Sequence, residues 1–127
     1  MSEYGCDNCW PSKAPEAWEA LKSIPVETYL IDESHYIVSI RACATCLQRY
    51  LQVTTETVDF EHGEDPIYRT VIPIDEGERA RLNASAPPNT EIIEGVGIGR
   101  RSLKYAWPKD QEASTYWGVG VHVRAHD

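Results

Sequence analysis

At 127 residues, 42% hydrophobic and 25% charged, the chain has the size and composition of one globular domain spanning 1–127, which excludes disordered, collagen-like and low-complexity architectures. No apolar run approaches the roughly 18 to 20 residues of a bilayer span, and Glu3, Asp7 and Lys13 stand where a signal peptide would be apolar, so a cytoplasmic protein away from membranes is expected. Its 20 acidic residues against 12 basic ones give a formal charge of −8, which opposes unspecific attraction to nucleic-acid backbones.

A chain of this length hides roughly two-thirds of its unfolded surface, enough for one core but not two. The first motif is Cys6-Asp7-Asn8-Cys9. Pro15 to Ser23 then reads as a short helix with a proline in its first turn, early glutamates and Pro25 beyond its end, and Trp18 and Leu21 share one face. Val26–Asp32 and His35–Ala42 are rich in β-branched and aromatic residues around Glu33-Ser34, the pattern of two strands and a tight turn. The second strand runs into Cys43-Ala44-Thr45-Cys46, and a third strand follows over Leu47–Val58, with Leu47, Leu51 and Val53 facing one way.

All four cysteines thus fall into two C-x-x-C pairs, separated by 33 residues. Each turn places two thiolates on one side of a tight loop, and two such turns complete the tetrahedral sulfur shell that Zn2+ favours. Disulfides fit less well in a chain without a secretory signal, since cytosolic thiols stay reduced. In these residues the chain resembles the zinc-ribbon class, in which two knuckles clamp one structural zinc and at least one sits at a hairpin tip. That resemblance implies Cys6, Cys9, Cys43 and Cys46 as the ligands. The residues after the pairs are Trp10 and Leu47, where many such knuckles carry glycine. Arg41 and Arg49 flank the second pair; they could offset the negative charge of four thiolates on one zinc or lower a reactive thiol, so they do not separate a metal site from dithiol chemistry.

Val58–Pro66 reads as a loop and Ile67–Ile74 as a strand, an edge strand at Pro73. Asp75 and Glu78 form a capping-box pair opening a helix to about Leu82, and Asn83–Asn89, with its two prolines, is a surface connection. Strands are expected at Arg100–Trp107 and Tyr116–Arg124, the last alternating Trp117, Val119, Val121 and Val123 against Tyr116, Gly118, Gly120 and His122. The fold class expected is α+β: a mainly antiparallel sheet of five or six strands with two short helices and a zinc-ribbon-like site.

Three further segments bear on function. Glu56, Asp59, Glu61, Glu64 and Asp65 surround His62 without a Lys or Arg; such a run is usually a solvated loop, and it also suits docking of a basic protein partner or proton transfer by His62. Gly95, Gly97 and Gly99 alternate, but Arg100 stands at the third glycine position of a dinucleotide fingerprint, which leaves a loop or bulge as the simpler reading. Arg100, Arg101, Lys104, Tyr105 and Trp107 form a basic, aromatic stretch of the kind that binds single-stranded nucleic acid by charge and stacking. His122 and His126, on a strand, would lie roughly 13 Å apart and could not share a metal. The reading that emerges is a protein-interaction module with an acidic surface and one structural zinc; the alternatives are a nucleic-acid-associated zinc ribbon, and a small enzyme using either the dithiols or His62.

Overall fold

Six strands lie side by side in the order in which the chain makes them: Val26–Glu33 (β1), Tyr36–Ala42 (β2), Arg49–Glu56 (β3), Ile67–Ile74 (β4), Arg101–Trp107 (β5) and Ser114–Val119 (β6). Every neighbouring pair is antiparallel. Three helices accompany them, Ala14–Leu21 (α1), Glu76–Ala84 (α2) and Thr90–Glu94 (α3). The structure is a computed structural model and describes residues 4–58, 65–109 and 111–124. Among these, no helix is long and apolar enough to cross a membrane. The α+β class and the antiparallel sheet expected from the sequence are both present.

Alternation along the central strands sends their side chains to opposite faces, and both faces are covered. Val38, Ile40, Leu51, Val53, Ile72 and Ile74 meet Leu82 of α2, Ile93 of α3, Val96 and Val121 on one side. Tyr50, Val71 and Leu103 meet Cys9, Trp10, and Ala14, Ala17 and Leu21 of α1 on the other. Two apolar layers therefore share one sheet, where one was expected from length. The middle strands alone serve both: Tyr50, Leu51, Gln52 and Val53 are consecutive and all buried.

Helix starts follow local chemistry. The Asp75 side chain accepts from the Glu78 N–H at 2.8 Å while the Glu78 carboxylate accepts from the Asp75 N–H at 3.0 Å, the capping box expected. Helix α3 lies at the end of the connection expected to be irregular and had its own signal: Asn89 caps it by accepting from the Ile92 N–H at 2.8 Å.

Three expectations are corrected. Leu47 lies outside β3; its φ is +66° and its side chain is exposed. Strand β4 is interior and not an edge, yet Pro73 sits past Val71, where the pairing with β5 has ended. On that side the Arg100 Nη1 donates to the Pro73 carbonyl at 2.7 Å, so the missing N–H leaves no ladder bond broken. Finally, β6 stops at Val119: Gly120, at φ +67°, turns the chain so that Val121 folds onto the α2–α3 face while Val119 stays exposed.

Candidate metal centre

The N-terminal segment and the β2–β3 hairpin bring the two C-x-x-C turns together. In the first, the Cys9 and Trp10 N–H groups donate to the Cys6 carbonyl at 3.2 and 2.8 Å. In the second, the Cys43 N–H donates to the Gln48 carbonyl and the Leu47 N–H to the Cys43 carbonyl, both at 2.9 Å, closing a hairpin knuckle directly on the β2–β3 ladder. The left-handed conformation of Leu47 occupies the place where glycine is usual in such turns.

The four sulfurs lie within 4.8 Å of one another. Three of the Sγ–Sγ separations are 3.6 Å (Cys6–Cys9), 4.0 Å (Cys6–Cys43) and 3.7 Å (Cys9–Cys46). A tetrahedron with metal–sulfur bonds of about 2.3 Å has edges of about 3.8 Å. A disulfide would need its sulfurs near 2.05 Å, and all four cysteines are free. The donor set therefore fits a tetrahedral, thiophilic metal ion.

Packing makes the cluster asymmetric. Cys9 and Cys43 are buried, Cys6 is half-buried and Cys46 is exposed. The Tyr50 Oη lies 3.0 Å from Cys9 Sγ, and burial, followed by that sulfur, pushes the phenol far above its ordinary value, so it stays protonated and can donate to a Cys9 thiolate. As free thiols the group divides. Cys9 is pushed up to about 12, by burial above all. Burial, the largest single influence, raises Cys43, but the amides of Cys46 and Thr45 together with hydrogen bonds from the Cys9 and Cys46 side chains outweigh it and bring that thiol down to about 7. Burial raises Cys46. Taking up a metal thus means displacing protons, most reluctantly from Cys9, which makes binding pH-dependent.

The charge of the thiolates is met by backbone N–H groups and Tyr50, and not by the two flanking arginines. Arg41 donates from Nε to the Gln52 Oε1 and from Nη1 to the Ile24 carbonyl, both at 2.6 Å. Arg49 reaches Glu27 at 3.0 Å and Glu76 at 2.8 Å. Tyr50 alternates with Leu51 along β3, and that alternation is what turns it toward the cysteines.

The cluster also anchors helix α1. Trp10, next to Cys9, packs at 5.0 Å against both the Tyr50 and the Trp117 rings, and the Trp117 indole donates to the Ser12 carbonyl at 2.9 Å. Fold and site together define an α+β protein with a four-cysteine, zinc-ribbon-like metal site. No family model matches the chain, and no curated protein or solved structure matches it either.

The other candidate segments are dispersed. In the acidic run, Glu56 ends β3 and accepts from or pairs with His35 Nδ1 at 2.6 Å, and Asp65 precedes β4; Asp59, Glu61, His62 and Glu64 lie outside the described residues. The glycine-rich turn holds an anion of the chain itself: the Gly97 N–H donates to Glu78 Oε2 at 3.0 Å and Arg100 Nη1 to Glu78 Oε1 at 2.7 Å. The basic stretch divides between the two faces. Arg100 is taken by Glu78, and Lys104 turns to the opposite face from Tyr105, donating to Thr70 and the Gly120 carbonyl. Arg101 lies over the Trp117 ring at 4.1 Å, and Tyr105 is stacked on Trp18 at 4.7 Å. Trp107 is exposed at the end of β5. His122 lies outside a strand and pairs with Glu94 at 2.9 Å; His126 is outside the described residues.

Proposed function

We propose that this chain is a small structural-zinc protein, one domain closed by a single Zn2+ on Cys6, Cys9, Cys43 and Cys46, and that it serves as a protein-interaction module. The supporting observation is the thiolate cluster, whose Sγ–Sγ spacings match the edge of a zinc–sulfur tetrahedron. Four protein ligands leave no open position for water, so the metal contributes stability and not hydrolysis. It ties the N-terminal segment, Trp10 and α1 to the sheet, closing a long loop that the small α1 face alone would hold weakly. The excess of acidic residues, with Glu56, Asp59, Glu61, His62, Glu64 and Asp65 in one run, supports a basic protein as the partner.

Metal analysis with thiol titration tests the site. One zinc per chain, thiols that react only after chelation, and a fold that melts on chelation are expected. A cationic oligolysine peptide tests the surface: binding should weaken with salt and with the triple change Asp59→Asn, Glu61→Gln, Glu64→Gln, and binding indifferent to both would count against it. The second reading is a dithiol oxidoreductase at Cys43 and Cys46, favoured by the exposure of Cys46 and the lowered Cys43 thiol. Protein free of metal, with thiols that oxidise readily, would select it.

A further inference from the structure

Below α1, on the same sheet face, a groove of about 320 Å³ runs between the helix and strands β1–β4. Among the described residues three cations line it, Lys22, Arg41 and Arg69, and no Asp or Glu does, in a chain with 20 acidic residues. Lys22 has a partner in Glu19 at 3.0 Å. The two arginines have none of opposite charge among the described residues. The Arg69 side chain makes no hydrogen bond or ion pair with any described residue; its guanidinium is held 5.6 Å from the Trp18 ring and 5.0 Å from the Tyr105 ring. Contact with the rings uses none of its N–H groups as donors to oxygen, so these are available to a ligand.

The rest of the lining is donor-rich. Arg41 uses two of its N–H groups on Gln52 and Ile24, keeping the others for the groove. Because Arg41 occupies the Gln52 carbonyl oxygen, that amide presents its NH2. Ser39 and Thr54 hydroxyls complete the floor. Two like charges held in one groove with no carboxylate among its described lining residues repel each other, and an excess of charged and amide donors favours a ligand rich in acceptors.

We infer that this groove is a binding site for a small oxyanion, a phosphate or carboxylate group held between the guanidinium groups of Arg41 and Arg69, with Gln52, Ser39 and Thr54 donating to its remaining oxygens. The site is separate from the cysteine cluster and does not depend on the identity of the metal.

Calorimetric titration of the metal-loaded protein with inorganic phosphate, and separately with citrate, at low ionic strength tests this and tells the two oxyanion sources apart. At least one should bind saturably at millimolar concentration or below. Arg69→Met keeps the stem under the rings and removes the charge, and it should weaken binding about tenfold or more. Arg101→Met, which removes a cation over Trp117 outside the groove, should leave binding unchanged. Should Arg69→Met fail to fold, Thr54→Asp places a carboxylate on the groove floor and should abolish binding. Absence of saturable binding by both anions, or equal weakening by Arg69→Met and Arg101→Met, overturns the assignment.

Discussion

The Tyr50 hydroxyl stands 3.0 Å from Cys9 Sγ, at the base of the most deeply buried corner of the cysteine cluster. Tyr50 is the second residue of β3, so the sheet and the metal site share one side chain: its ring packs on Trp10 and its oxygen supports a thiolate. Groups that hold metal ligands from behind commonly contribute 10–100-fold in metal affinity. Tyr50→Phe keeps the ring and removes the donor. The variant should fold and still take up metal, with affinity reduced by about that factor in competition with a chromophoric chelator. Affinity equal to that of the parent would show that the hydroxyl does not stabilise the thiolate.

Gly5 is fitted to the same hydroxyl. Its φ is +74°, and a Cβ there would collide with Tyr50 Oη and lie 2.8 Å from Trp10 Cβ, both parts of a packed cluster. Gly5→Ala should destabilise the metal-bound protein by about 1–3 kcal/mol or more in urea denaturation, combining backbone strain with the collision. Adding Tyr50→Phe removes one of the colliding atoms and should recover part of that loss. Losses that simply add in the double variant would place the cost in the backbone and the Trp10 contact, and not in the hydroxyl.

Leu47 presents the opposite case, a side chain where glycine would be easier. It is left-handed at φ +66° and 69% exposed, so truncation forfeits little packing. Leu47→Gly should raise stability by about 0.5–1 kcal/mol, because a left-handed conformation costs a branched residue more than glycine. An increase in the urea midpoint with an unchanged slope is the expected result. A decrease would mean that the Leu47 side chain shields the exposed Cys46.

Glu78 carries more than its helix cap. One carboxylate closes the box with Asp75, accepts from the Gly97 N–H and pairs with Arg100 at 2.7 Å, and it is 9% exposed. Glu78→Ala leaves a half-buried guanidinium and an amide without their acceptor, a class of change that costs about 3–5 kcal/mol. Glu78→Gln retains acceptors for Asp75 and Gly97 and should cost less. Equal losses for both variants in urea would mean that the charge on Glu78, and not its acceptor count, holds the turn.

Much of this was legible where local chemistry decides. The capping box at Asp75 and Glu78, the β1–β2 turn and the paired C-x-x-C turns are specified within a few residues. What depended on distant partners was not. Period two carried the last strand to Arg124, whereas Gly120 turns the chain because Val121 is buried better among Leu82, Ile93 and Val96 than beside Val119. One core was expected from length, but Tyr50 and Gln52, opposite Leu51 and Val53 along β3, are buried as well, by the N-terminal segment and by Arg41. The flanking arginines were plausible neighbours of the thiolates in sequence, and in space Arg49 is drawn instead to Glu27 and Glu76.

That last cluster predicts a pH dependence. Glu27 on β1 accepts from Arg79 of α2 at 2.9 Å and from Arg49 at the start of β3 at 3.0 Å, joining the helix to the strand that leaves the second knuckle. Hydrogen bonding to Arg79 first, opposed by burial and reinforced by Arg49, holds its carboxyl below the ordinary 4.5. A carboxylate with a lowered folded pKa stabilises the protein fully above its unfolded value and loses that contribution as pH falls through the folded value. Glu27→Gln lacks the contribution at every pH. The parent should therefore melt a few degrees above the variant at pH 7, with the gap unchanged down to about pH 5, narrowing below 4.5 and closing once the carboxyl is protonated in both states. Proton competition for the metal affects both proteins alike and cancels in the difference. A gap that stays constant from pH 7 to pH 3 would assign the stabilisation to the shape of the side chain and not to its charge.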